Sequence, residues 1–201
     1  MFGPQRADAP LLHASPFLTF AVAVHRATAE LSQVTFTDEW VGPRRRVPVF
    51  DVDVLREFVD DPLRRLFLIE LLASYTQAAR RLDELDPVRL AGMLELVAEE
   101  ERPGVYRRLG DLALFLTGVF PDHTATHGLA PAGIDRLGAV GTLELLGRRW
   151  YQLAASTVPG PPTSTMQAVD GVAQRFRTAR RILNYVTERF LFGSQPVWFG
   201  V

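Results

Sequence analysis

Apolar side chains recur at Phe17, Phe20, Ala21, Val24, Ala27 and Leu31, the three- and four-residue spacing of a helix with one face toward a core. Ser15-Pro16 supplies the start, a capping hydroxyl followed by proline at the first helical position, and the pattern fades near Gln33. The period then changes. Val34, Phe36 and Trp40 alternate with Thr35, Thr37 and Glu39, Gly42-Pro43 breaks the chain, and Val47 and Val49 follow. Residues 34–50 therefore read as a short β-hairpin or an extended arm, because Pro48 removes a ladder donor and a lone hairpin is marginal.

From Asp51 onward the chain reads as helices between clear breaks. Asp61-Pro62 and Asp86-Pro87 repeat the cap-then-proline start and predict helices over 62–82 and 87–100. Arg102-Pro103-Gly104 closes the second, another runs over 105–120 until Pro121, and two more cover 132–156 and 164–192 on either side of Pro159-Gly160-Pro161-Pro162. The segments 63–82 and 109–119 are apolar nearly all round, which marks them as neighbouring central rods. The fold class that follows is all-α, a compact bundle of six or seven helices, with a flexible arm over 1–14 and a single helical domain over 15–201. Gly138, Gly141 and Gly147 cost helix stability, so close helix approach is their expected purpose.

The 201 residues carry 47% hydrophobic and 22% charged side chains, the balance of a chain that folds by burying a core. Its 22 basic residues are all arginine, against 23 acids. A near-neutral charge with scattered arginines gives no surplus for neutralising phosphates, so no nucleic-acid partner is expected. Without cysteine there is no disulfide, thiolate metal site or cysteine nucleophile. No apolar run approaches the roughly 20 residues that span a bilayer. Asp8 and His25-Arg26 spoil a signal-peptide reading of Phe17 to Val24, so a cytoplasmic location is expected.

Candidate chemistry concentrates in the two apolar helices, where Glu70, Ser74 and Tyr75 lie on one and Asp111 and Thr117 on the other. A carboxylate in such a place must be paired, protonated or open to a cavity. Arg107, Arg108, Arg148 and Arg149 stand ready as partners, so Glu70 or Asp111 serves either as half of an internal ion pair or as a general acid or base in a polar site between the helices, with Tyr75 and Tyr151 as accessories and Arg107 and Arg148 as ligand-binding groups. Asp122, His123 and His127 give a weak His-x-x-x-His metal pattern without the adjoining glutamate of a metalloprotease. No Walker lysine and no Gly-x-Ser-x-Gly elbow occurs, and no cofactor is expected. Arginine doublets recur at 64–65, 80–81, 107–108, 148–149 and 180–181; neighbours on a helix point about 100° apart, so no doublet should lie wholly in the core.

Two functions follow. The first is a non-catalytic helical protein working through contacts with itself or another protein, favoured by the missing motifs and by Trp198 and Phe199 in the tail. The second is a small-molecule-binding protein or enzyme using Glu70 and Asp111.

Overall fold

A computed structural model describes residues 15–126, 138–157, 161 and 163–192 of the chain. The arm over 1–14, His127, the first residues of the helix expected from 132, and the tail aromatics Trp198 and Phe199 lie outside the described residues.

The predicted caps act as caps. Ser15 Oγ accepts the Leu18 N–H (3.2 Å) at the start of α1 (Pro16–Leu31). Asp61 accepts the Leu63 N–H (2.8 Å) at α3 (Pro62–Tyr75), and Asp86 accepts those of Val88 and Arg89 at α4 (Pro87–Ala91). Between them α2 (Val52–Asp60) buries Val52, Leu55, Phe58 and Val59 on one face. The remaining α-helices are α5 (Arg102–Val119), α6 (Pro121–Thr126), α7 (Gly138–Ser156), α8 (Ser164–Gln174) and α9 (Phe176–Val186), the last continuing into a π-helical turn at Thr187–Leu191.

The extra helices arise where continuous rods were expected. After Tyr75 the chain tightens into a 3₁₀ stretch, Ala78–Glu84, with Arg81 off the helical backbone. Past Gly92 the segment over 87–100 also loosens into 3₁₀ turns at Leu94–Leu96 and Glu99–Glu101. Arg175, at φ −121° and ψ 36°, divides 164–192 into α8 and α9. Pro103 does not close a helix: it sits in the first turn of α5, where a missing N–H costs nothing.

The helix α5 is the axis of the bundle. Every residue from Leu112 through Val119 is buried, and α7 and α9 pack along its length. Three glycines let these rods approach: a Cβ at Gly110 would stand 2.5 Å from the Tyr151 ring, one at Gly118 2.8 Å from Leu183, and one at Gly147 2.6 Å from Phe176 and 2.8 Å from the Ala113 Cβ. The other expected rod is one-sided. Phe67, Leu68, Leu71 and Leu72 of α3 are buried against α1 and α8, whereas Leu63, Leu66 and Glu70 are exposed.

Residues 34–50 form a hairpin, β1 (Thr37–Gly42) antiparallel to β2 (Arg45–Val49), with Pro43-Arg44 at the tip and a register shift between Trp40 and Gly42. Pro48 pairs with Asp38. Having no N–H to give, it occupies a non-hydrogen-bonded pair and turns its ring nitrogen to the outer edge, where a strand loses least by it. Arg44 takes φ 55°, and Asp122 at the start of α6 holds the tip by accepting the Arg44 N–H and the Trp40 indole N–H, both at 2.8 Å.

Candidate functional site

The structure separates the two acids that the enzyme alternative would bring to one site. Glu70 is exposed on α3, because the face that bears it and Leu66 is not covered by another helix. Asp111 faces inward: its carboxylate accepts the Arg107 Nε–H (2.9 and 3.1 Å to its two oxygens) and the Tyr151 hydroxyl (2.8 Å). Arg107 lies over the Phe67 ring at 4.8 Å, and Tyr151, fully buried, meets Phe67 edge-on. Tyr75 stacks on Phe115 and donates to the Arg108 carbonyl (3.2 Å), not to an acid. An internal ion pair that ties one turn of α5 to α7 and α3 accounts for these contacts.

Burial pushes the Asp111 carboxyl above its ordinary range, although Arg107 and Tyr151 pull it down. Folded Asp111 thus binds its proton more tightly than the unfolded chain, and its contribution to stability falls as pH rises from 3.8 through the raised value. The Asp111→Asn variant is expected to lack that fall. Urea unfolding of both proteins across the window measures it; a stability difference between them that stays flat or widens in favour of the wild type with rising pH refutes the assignment.

Asp122, considered as a metal ligand, is occupied by the hairpin tip and approached by Arg46 (3.5 Å). Burial raises its pKa and the bonds from Trp40, the Arg44 N–H and Arg46 outweigh that, leaving it below the ordinary range. His123 Nε2 stands 3.7 Å from Asp83. Among the described residues no three His, Asp or Glu side chains converge as a metal site. Arg148 is exposed and borders a shallow cleft of about 200 Å³ with Glu144, Arg175 and Arg177.

A larger polar lattice went unnoticed in the sequence. Glu39, 5% exposed, points from β1 onto α9, where its Oε1 accepts Arg177 Nε (3.0 Å), Arg177 Nη2 (2.8 Å) and Arg180 Nη2 (3.1 Å). Arg181 forms a two-pronged pair with Asp51 (3.0 and 2.7 Å) at the head of α2, and Glu144 of α7 stands 3.0 Å from Arg180. Arg180 and Arg181 are 4% and 7% exposed, so this doublet does lie in the interior. Carboxylates reach it from three elements, β1, α2 and α7, so both members of the doublet find partners. The signal was present in the charge pattern: Arg175, Arg177, Arg180 and Arg181 occur with no acid between Asp170 and Glu188, so their partners had to come from other elements.

Two open clefts flank the hairpin. One, of about 460 Å³, lies where α1 meets β1 and is lined by Glu30, Phe36, Asp38, Tyr185 and Arg189; Glu30 there accepts both the Tyr185 hydroxyl and Arg189 Nε at 2.7 Å. The other, of about 470 Å³, has Val41, Val47, Val49 and Val54 against Arg177 and Arg181. At the open end of the hairpin Phe36 and Phe50 lie just outside the terminal pair Thr37–Val49, their rings 5.9 Å apart, and they are 48% and 73% exposed. Val41, near the tip, and Val54 of α2 are 45% and 40% exposed. No protein family, curated protein or solved structure matches the chain.

Proposed function

We propose that the chain is a non-catalytic interaction module, working through contacts with itself or another protein, and that the hairpin flank is its contact surface. The observation that carries this reading is the pair Phe36 and Phe50, in ring contact at the open end of the hairpin yet left open to water. Exposed aromatic and aliphatic groups gathered on one rigid element, with paired charges around them, have the anatomy of a protein contact: apolar centre, polar rim. The lattice beneath supports the same role, since Glu39, Asp51 and the α9 arginines hold the hairpin and α2 in fixed relation. Weighing against the small-molecule or enzyme alternative, Glu70 stands outside, and Asp111 is bonded on both oxygens to Arg107.

A photo-reactive benzoylphenylalanine at position 50 of the full chain tests the reading in producing cells. Illumination is expected to yield covalent adducts heavier than the monomer, to a second copy or to another protein, while the same group at exposed position 174 yields none. Absence of adducts at position 50, or equal yield at both positions, refutes the hairpin flank as a contact surface.

A further inference from the structure

The second exposed apolar feature lies at the far end of the bundle. Met93 N–H donates to the Leu90 carbonyl (3.1 Å) and Leu96 N–H to the Met93 carbonyl (3.0 Å), so the chain there advances in i-to-i+3 turns. Side chains three apart eclipse in such turns. Leu90, Met93 and Leu96 therefore line up as one ridge, 45%, 52% and 82% exposed. The same stretch of chain carries Glu95, Glu99, Glu100 and Glu101, all exposed and without an ion pair among the described residues, with Arg89 its exposed cation. Carboxylates before α5 offset the positive end of that helix. That role gives no reason for a row of apolar side chains in water.

The hairpin offers the opposite charge with the same apolar character. Arg44 and Arg45 are exposed at its tip and form no ion pair among the described residues, Val41 is open next to the tip, and Phe50 is open at the other end of the strand pair. The two surfaces sit at opposite ends of α5: Glu101 immediately precedes its first residue, and Asp122, which holds the tip, follows its last by three. Its 18 residues separate them by about 27 Å. One molecule therefore carries a basic apolar end and an acidic apolar end.

We propose that the hairpin of one copy docks on the Leu90–Met93–Leu96 ridge of a second, so that the chain associates head to tail. This rests on the interaction reading above and names the partner. The apolar ridge meets Val41 near the tip, and the glutamates meet Arg44 and Arg45. Because the joined surfaces differ, the contact is heterologous: it leaves one free end of each kind and grows until a ring closes. Exposed charge at its rim makes assembly weaker as salt rises.

Sedimentation velocity of the full chain over a concentration series tests it. The wild type should gain mass with concentration and lose it in high salt. The ridge variant Glu99→Arg/Glu100→Arg and the hairpin variant Arg44→Gly/Arg45→Glu should each associate about tenfold or more weakly, as like charges are brought together or attraction is lost; glycine suits the φ of 55° at Arg44. An equal mixture of the two variants should regain assembly, because the intact hairpin of one meets the intact ridge of the other. Leu96→Asp, at an 82% exposed position where folding is not at stake, should weaken assembly similarly. A wild type that stays monomeric at all concentrations, single variants that assemble normally, or a mixture that stays monomeric overturns the proposal. If the wild type is monomeric while position 50 still captures a different protein, only the second copy as occupant fails; if position 50 captures nothing as well, the interaction reading fails with it.

Discussion

Glu39→Ala is expected to cost about 3–5 kcal/mol of unfolding free energy, the range for removing one partner from a buried ion pair. The carboxylate serves Arg177 and Arg180 at hydrogen-bond distance and Arg181 at 3.6 Å. Arg180 suffers most from its loss. Burial lowers its pKa, which means that its charge is held there against a desolvation cost, and its Nη1 is already buried without an acceptor among the described residues. Without Glu39 it retains Glu144 alone. Glu39→Gln keeps the shape and one acceptor but not the charge, and should lose less than alanine. Chemical denaturation gives the magnitude, and amide exchange in Thr37–Gly42 reports whether the hairpin has come away from α9. A loss under about 1 kcal/mol, the ordinary value for an exposed pair, would show that the lattice is solvated and does not anchor the hairpin.

The second large effect is steric. Gly147→Val should destabilise by about 3 kcal/mol, at the upper end of overpacking costs, because its Cβ alone would stand 2.8 Å from the Ala113 Cβ, which moves only with the α5 backbone, and 2.6 Å from the Phe176 ring. Gly104 supplies the internal contrast. It lies in the first turns of α5 with nothing within 4 Å of a built Cβ, so Gly104→Ala should gain about 0.5–1 kcal/mol through helix propensity and a less flexible unfolded chain. Equal urea midpoints for the two variants would mean that α5 and α7 are not in the close contact described.

What was legible in the sequence was what depends on neighbours along the chain. The cap-proline starts at Ser15, Asp61 and Asp86, the change of period at Val34, and the need of Asp111 for an arginine all follow from short-range chemistry, and each has its counterpart in the structure. Gly147 likewise serves close helix approach, whereas Gly138 is exposed at φ 65° at the head of α7. What failed depended on which face a neighbour covers. Leu63 and Leu66 made α3 look central, although apolar residues need not be buried. The alternation of Phe36 and Trp40 with Thr37 and Glu39 did not say which face is covered: Glu39 is buried against the arginines of α9, and Trp40 is buried on the other side of the strand with Asp122. Pro103 was read as a stop when its place two residues before the apolar run fits a start equally well.

The bonds that clasp the hairpin and α1 join residues far apart in the chain: Glu39 to Arg177 and Arg180, Asp51 to Arg181, Glu30 to Tyr185 and Arg189. During synthesis the first third of the protein therefore leaves the ribosome well before the segment that completes its electrostatics, and its open aromatic pair spends that interval beside strands with no helix behind them. Pairings of such long sequence separation form late and slowly. The nascent chain should accordingly depend on chaperone protection until residues 176–191 have emerged.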